Sequence, residues 1–348
     1  MKLLLIIGGK STENEISRMS ALNVRKNIPD NYMVSTIGIS KEGIWYKLAS
    51  DNYTSDNWLD GAEEIDNIFK YIKEFDVVFP ILHGKYGEDG TIQGMLEMID
   101  VPYVGMKVLG SSIALDKVAT KMLLKGFNIN MVPYLYVRKK NDNSLVLIDE
   151  DMKEKSNILD EVDKKLGYPV FVKAANLGSS VGCYKVENKD ELIDKINLAS
   201  TFDNKILIEK AINARELECA VLGNDEVVVS TVGEVLASGE YYTYDSKYND
   251  KNSTVRIPAN ISIDDIKIIQ DMAVKIFKIL DGKGLSRCDF FLDKDTNEIY
   301  FNEINTMPGF TDISMYPMLM ENMKISGKEL IDKLIKLALE NKISFNVR

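Results

Sequence analysis

From residue 1 to about residue 110, short apolar runs alternate with stretches of helical period, and no other feature restricts the fold of this chain so strongly. The runs are LLLII, MVSTIGI, DVVFPIL and VPYVG, and Ile16, Met19 and Leu22 recur at helical spacing after the first of them. Strands and helices in alternation build a parallel sheet covered by helices. Ligands of such sheets sit beyond the carboxyl ends of the strands. Two of those ends carry polar, glycine-bearing loops, GGKSTENE after LLLII and LHGKYGEDG after DVVFPI.

Downstream the pattern changes. A helix from Leu115 to Lys125 leads into the strand VPYLYV, and the charge-rich stretch 139–165 reads as a surface connection with a solvated helix. GYPVFVKAANLGSSVGCYKV gives two strands around a Gly-Ser loop, and ILIEKAINARELECAVLG gives two more. Residues 238–256, SGEYYTYDSKYNDKNSTVR, are long, polar and without apolar period, which predicts a functional lid. Ser326 and Glu329 are spaced as a capping box before Leu330, Ile331, Leu334, Leu337 and Ala338, which predicts a closing amphipathic helix. The expected class is α/β at the N-terminus, residues 1–112, and α+β overall, with two further units at 113–205 and 206–348.

A chain of 348 residues with 45% hydrophobic content can bury a large core in two or three domains. Its 43 basic and 53 acidic residues give a net charge of −10, which argues against a nucleic-acid surface. Any phosphate it binds is therefore expected to be held locally. Cys183, Cys219 and Cys288 are scattered without a CxxC pair, which fits a reducing cytosol. The apolar run at the N-terminus is too short for a signal peptide, and no run approaches the roughly 18 residues of a membrane span. The expectation is a soluble, cytoplasmic protein with no nucleic-acid or membrane partner.

The chemistry concentrates in SRCDFFLDKDTNEIYFNEIN. Leu292 to Asn297 is rich in turn residues, so the flanking apolar runs should form an antiparallel hairpin centred near Thr296. In that register Asp289 falls opposite Glu303, while Arg287 and Asn305 share their face. Two carboxylates and an amide oxygen are hard ligands suited to Mg²⁺. An arginine beside them suits a phosphoryl group or an oxyanion. The alternative is an exposed polar hairpin face.

GSSVG, residues 178–182, offers backbone N–H groups and two hydroxyls, the equipment of a phosphate cradle. A plain hairpin loop would have the same sequence. Lys173 on the entering strand adds a cation, and no Walker GxxxxGK[ST] assigns a nucleotide elsewhere, which favours an ATP site of another architecture. His83 is the one histidine, and alone it fits a structural role as well as a functional one. Glu13 and Glu15 read most simply as acids at a helix N-terminus.

Taken in order, GGKSTENEIS (8–17), HGKYGEDGTIQGMLE (83–97), VKAANLGSSVG (172–182), SKY (246–248), SRCDFF (286–291) and NEINTMPGFTDISMYP (302–317) make the chain resemble the D-alanine–D-alanine ligase family from end to end. The resemblance implies an ATP-grasp fold behind a Rossmann-like N-terminal domain. It implies ATP-dependent ligation of two D-alanines through a D-alanyl phosphate, for peptidoglycan precursor synthesis, in a protein expected to be a homodimer.

For the nucleotide, the resemblance implies that Lys117 and Lys173 hold phosphates with Ser180 beside them, and that Lys247 reaches the γ-phosphate. Glu209, Lys210 and Ile212 would meet the adenine and Glu216 the ribose. Asp289, Glu303 and Asn305 would hold two Mg²⁺ (or Mn²⁺) ions, and Arg287 with the Gly309 N–H would stabilise an oxyanion. On the substrate side Glu13 would take the ammonium of the first D-alanine, displacing its helix-acid reading, with His83 nearby and Ser179 and Tyr248 in the same hydrogen-bonded chain.

Ser314 and Met315 fall on the side of the second substrate. The position of Met315 is commonly arginine in family members that favour D-serine and in D-lactate ligases, so methionine favours D-alanine. The chain departs from the family pattern at Ala174, where many members have proline, and 139–165 carries no family motif. Rival readings are a D-Ala-D-Ser or D-Ala-D-Lac ligase of the same fold and a non-catalytic nucleotide-binding relative. A dinucleotide oxidoreductase is disfavoured because the first strand-turn-helix lacks GxGxxG.

Overall fold

The computed structural model describes residues 1–236 and 254–340. Of the expected lid, only its last three residues fall inside this range, and Lys247 and Tyr248 lie outside it. Among the described residues three sheets form.

The first holds β1 (Lys2–Gly8), β2 (Met33–Ile39), β3 (Trp45–Lys47), β4 (Glu63–Glu64) and β5 (Val77–Pro80) in the order β4-β3-β2-β1-β5. β1 runs parallel to both β2 and β5, while β3 and β4 add an antiparallel edge. Leu3 to Ile7 of β1 are fully buried, as an interior strand covered on both faces must be. Leu3, Leu5 and Ile7 point into a core shared with Phe310, Tyr316, Leu319, Leu330 and Leu334 near the C-terminus. Leu4 and Ile6 pack on the other face with Ile92 and Leu96. The first sheet is thereby welded to the end of the chain.

Three helices accompany this sheet: α1 (Asn14–Asn27), α2 (Ile68–Ile72) and α3 (Thr91–Ile99). α1 buries Ile16 and Val24 with the small residues Ser17, Ser20 and Ala21, which allow close approach, and leaves Met19 exposed, contrary to the expected stripe. VPYVG does not become a full strand. It makes one parallel bridge, Tyr103 to Val78, because Pro102 has no N–H to give and Gly105 turns away at φ +108°.

The second sheet is antiparallel: β6 (Tyr134–Lys139), β7 (Leu145–Ile148), β8 (Glu154–Lys155), β9 (Val170–Ala174), β10 (Cys183–Val186) and β11 (Lys205–Lys210), ordered β10-β9-β11-β6-β7-β8. It has its own core, in which Val137, Val172 and Ile208 meet α6 (Ile158–Lys165) and α7 (Leu192–Ala199). The stretch 139–165 is therefore more than a surface connection. It extends this sheet by β7 and β8, and its helix buries Ile158 and Val162.

The third sheet carries β12 (Ala214–Gly223), β13 (Val227–Leu236), β14 (Thr254–Arg256), β15 (Gly284–Asp293) and β16 (Ile299–Asn305), ordered β14-β13-β12-β15-β16 and antiparallel throughout. The helix Ile263–Ile279 covers one face through Ile269, Ala273, Ile276 and Phe277.

Between the first two sheets run α4 (Val108–Leu115) and α5 (Lys117–Lys125). The single helix expected from Leu115 begins instead at Lys117. Asp116 breaks the run at ψ 98° and caps α5 by accepting from the N–H groups of Val118 and Ala119, a cap worth about 1 kcal/mol. The expected boundary at 112/113 falls inside α4. That at 205/206 falls inside β11, which pairs with β9 and β6 in the second sheet, so the crossing between sheets lies at residues 211–213.

Candidate active site

The hairpin of β15 and β16 pairs Asp289 with Glu303 and Arg287 with Asn305. Nearer the turn the pairing shifts, with Phe290 opposite Phe301, so Asn302 is the extra residue of a bulge. The bulge lets Phe290 and Phe301 meet in the core, edge to face, while Asp289 and Glu303 stay on the opposite, polar side.

On that side Arg287 grips Asp289 through Nε and Nη2, each at 2.7 Å. Its Nε also lies 2.9 Å from Glu218 Oε2 on β12. Burial works against the guanidinium charge, but Asp289 and Glu218 outweigh it and hold the arginine pKa well above its ordinary value. Asn305 Nδ2 donates to Asp289 Oδ2 at 2.9 Å, which turns its amide oxygen to the other side. Glu303 Oε2 sits 3.1 Å from Lys117 Nζ, and the same ammonium donates to the carbonyl of Leu177 at 2.7 Å. Lys117 thus ties the metal-type hairpin to the glycine loop.

The glycine loop turns between β9 and β10. Ser179, Ser180 and Gly182 all take positive φ, +52°, +60° and +68°, and Val181 N–H donates back to the Gly178 carbonyl at 3.1 Å, which makes the loop a tight turn. Ala174 N–H donates to the Gly182 carbonyl at 3.0 Å and closes the loop. A proline at 174 could not make this bond, so the departure from the family pattern adds a hydrogen bond. Ser179 Oγ donates to Glu13 Oε1, which places the loop against the first sheet. Gly84 completes that corner, since a Cβ there would lie 2.3 Å from Glu13 Oε2.

His83 is buried and braces the 306–309 turn. Its Nδ1 lies 2.9 Å from the Met307 carbonyl, which can only accept, so Nδ1 carries the proton and Nε2 accepts from Ser20 Oγ at 2.9 Å. Burial lowers its pKa and keeps the ring neutral. Glu88 holds the same turn, accepting from Met307 N–H at 2.9 Å and Gly84 N–H at 2.9 Å. Burial pushes its carboxyl up to about 7. Gly309 lies where a Cβ would come within 2.9 Å of Ser314 Oγ, and Ser314 caps the turn by bonding Thr311 N–H at 3.0 Å. Met315 is buried against β13, where Gly233 leaves room for its sulfur.

Facing the second sheet, Lys173 and Lys121 share the buried Glu209 carboxylate, at 2.5 Å and 2.6 Å. Burial works to raise the Glu209 pKa, and the two ammonium groups overcome it, holding the carboxyl at about 2. Lys210 is exposed, and Ile212 and Glu216 follow along the crossing from β11 to β12.

Two hollows contain these groups. A cleft of about 1060 Å³, the size of a nucleotide site, is lined by Phe171, Lys173, Ser180, Glu209, Ile212 and Glu216. A cavity of about 100 Å³ is lined by Glu13, His83, Arg287, Gly309, Ser314 and Met315. Lys117, Ser179 and Glu303 line both. Among the described residues no three or more His, Cys, Asp or Glu cluster as metal ligands, so the hairpin set depends on the Asn305 amide as its third donor. Asp289 and Glu303, each balanced by a cation, share one face of the hairpin with Asn305, and two carboxylates and an amide are the donor types that a hard divalent ion takes.

Glu88, Glu218 and Lys121 were not among the residues picked out from the sequence. Glu218 follows Glu216 by two residues on one strand and Lys121 follows Lys117 by four on one helix, spacings that put each beside a chosen residue. Glu88 lies in the strand-end loop LHGKYGEDG, and that loop is its one signal in the sequence. No helix among the described residues is long and apolar enough to cross a membrane.

The family model described as D-ala D-ala ligase N-terminus matches residues 2–106, and that described as D-ala D-ala ligase C-terminus matches residues 123–336. The D-alanine--D-alanine ligase of Acetivibrio thermocellus is 44% identical over 97% of this chain and 96% of its own. The D-alanine--D-alanine ligase B of Clostridium tetani is 45% identical over 98% and 94%. The crystal structure of the VanG D-Ala:D-Ser ligase from Enterococcus faecalis superposes with a TM-score of 0.84 at 35% identity, over 97% of this chain and 99% of that one. With both terminal models matched and relatives aligned over nearly the whole length, the chain belongs to the D-alanine–D-alanine ligase family.

Proposed function

We propose that this chain joins two D-alanines, converting ATP to ADP and phosphate by way of a D-alanyl phosphate. The observation that carries the reading is that the large cleft and the small cavity share Lys117, Ser179 and Glu303. A γ-phosphate entering from one side and an amino-acid carboxylate from the other meet at those residues.

The two anions repel, and their approach needs positive charge and alignment. Lys117 and Lys173 supply the charge to the phosphates, with Ser180 and the N–H groups of its loop around them. Asp289, Glu303 and Asn305 would hold Mg²⁺, which when bound neutralises charge between the phosphoryl group and the carboxylate. Glu209, expected at the adenine, has its two carboxylate oxygens taken by Lys121 and Lys173, so Lys210, Ile212 and Glu216 take the adenosine and Glu209 fixes Lys173 at its edge.

Glu13 takes the ammonium of the first D-alanine and is itself held by Ser179. When the amine of the second D-alanine attacks the acyl phosphate, the tetrahedral oxyanion falls to Arg287 and the Gly309 N–H. His83 and Glu88 keep the turn that bears Gly309 in place. Met315 and Val235 give the small cavity an apolar wall, which suits the methyl of D-alanine and offers a serine hydroxyl no strong partner. The enzyme works in the cytoplasm, as a homodimer, on precursors of peptidoglycan.

D-serine as second substrate is the competing reading, favoured by the likeness to a D-Ala:D-Ser ligase. Met315→Arg should move preference toward D-serine. The basic test is phosphate release from Mg²⁺-ATP with and without D-alanine. D-alanine-dependent release supports the proposal, and release that ignores D-alanine, or none at all, overturns it.

A further inference from the structure

Lys121 is a lysine with almost no access to water. Its side chain is 2% exposed, on the face of α5 that packs against the second sheet. Its ammonium lies 2.6 Å from Glu209 Oε1 and 5.2 Å from the centre of the Tyr134 ring. The other Glu209 oxygen takes Lys173 at 2.5 Å. Lys173 and Glu209 line the large cleft and Lys121 stands behind them.

A buried ammonium is costly, and a buried ion pair is often no more stabilising than apolar side chains of the same volume. Stability alone is thus a weak reason for a lysine here. The charges give a better one. A lone Lys173–Glu209 pair would be neutral, and a nucleotide phosphate would meet an ammonium whose charge is already spent. With two ammonium groups on one carboxylate the trio carries one net positive charge, and Lys173 is the member that faces the cleft. Burial draws the Lys121 pKa down while Glu209 acts to keep it protonated, and Glu209 stays ionised between its partners.

We infer that Lys121 is a positioning residue for ATP: it occupies one oxygen of Glu209 and so leaves the Lys173 ammonium with positive charge to offer the nucleotide's phosphates. The inference rests on the ATP-site reading above and adds a residue that never touches the nucleotide. It separates the two parts of ATP. Removing the Lys121 charge weakens the hold on phosphates and leaves the hold on adenosine, which depends on the crossing at residues 210–216.

The test is the ratio of dissociation constants for adenosine and Mg²⁺-ATP, measured by calorimetry on the full chain and on Lys121→Met and Lys121→Gln. Both variants should bind Mg²⁺-ATP about tenfold more weakly, a modest coulombic change for a partly buried site, with adenosine affinity within about twofold of the unmodified chain. Lys121→Gln can still donate to Glu209, so it decides the matter alone if Lys121→Met loses its cooperative thermal transition. Equal weakening of both ligands would mark Lys121 as merely structural and overturn the inference, as would unchanged binding of both. Failure of the unmodified chain to bind Mg²⁺-ATP would overturn the ATP-site reading itself, a distinct result.

Discussion

Ser179 and Glu13, 166 residues apart, are joined by a hydrogen bond of 2.5 Å from the serine hydroxyl to the carboxylate. The bond links the glycine loop of the second sheet to the loop that follows the first strand. It fixes the carboxylate proposed to receive the first D-alanine.

Ser179→Ala removes the donor and leaves a buried carboxylate short of a partner, which costs roughly 1–3 kcal/mol. The expected result is a fall of about ten- to a hundredfold in kcat/KM for D-alanine at saturating ATP, with Mg²⁺-ATP affinity changed far less. Steady-state kinetics against each substrate separates the two, and an equal loss for both would place the role of Ser179 in the phosphate cradle instead.

Glu303 and Lys117 are in contact at 3.1 Å where the two hollows meet. Glu303→Gln keeps the shape of the side chain and removes the charge offered to a divalent ion. Turnover at ordinary Mg²⁺ should fall by about a thousandfold or more, while adenosine binding persists. Turnover near that of the unmodified enzyme would remove Glu303 from the metal set.

Glu88 makes stability depend on pH. Its carboxyl rises from an ordinary 4.5 to about 7 in the fold, mainly through burial. The folded chain therefore holds a proton that the unfolded chain releases. This contribution is fully present below pH 4.5 and is lost as pH rises through about 7, amounting to roughly 3 kcal/mol. Thermal unfolding from pH 5 to 8 should show stability from this group declining, and Glu88→Gln should flatten that decline. An unchanged pH profile in the variant would show that Glu88 is ionised throughout.

The hairpin was legible because a two-residue side-chain period and a polar turn together set its register, and the pairs Asp289–Glu303 and Arg287–Asn305 are those the sequence predicts. The bulge at Asn302 was not, since it answers to Phe290 and Phe301 meeting in the core. The stretch 139–165 misled because its charges cover two short strands and a short helix whose few buried apolar residues, such as Leu147 on β7 and Val162 on α6, show no long period. The break at Asp116 was readable as a cap but hidden inside a continuous helical pattern. Lys121 and Glu218 stand at legible spacings from Lys117 and Glu216, but what they and Glu88 hold depends on Glu209, Arg287 and Met307, partners distant in the chain.

The most direct measurement supplies the unmodified protein with Mg²⁺-ATP and equimolar D-alanine and D-serine, then separates the dipeptides formed. The buried Met315 beside Val235 predicts D-alanyl-D-alanine as the main product at neutral pH, with one phosphate released per dipeptide. A predominance of D-alanyl-D-serine, or phosphate release without any dipeptide, would contradict the account.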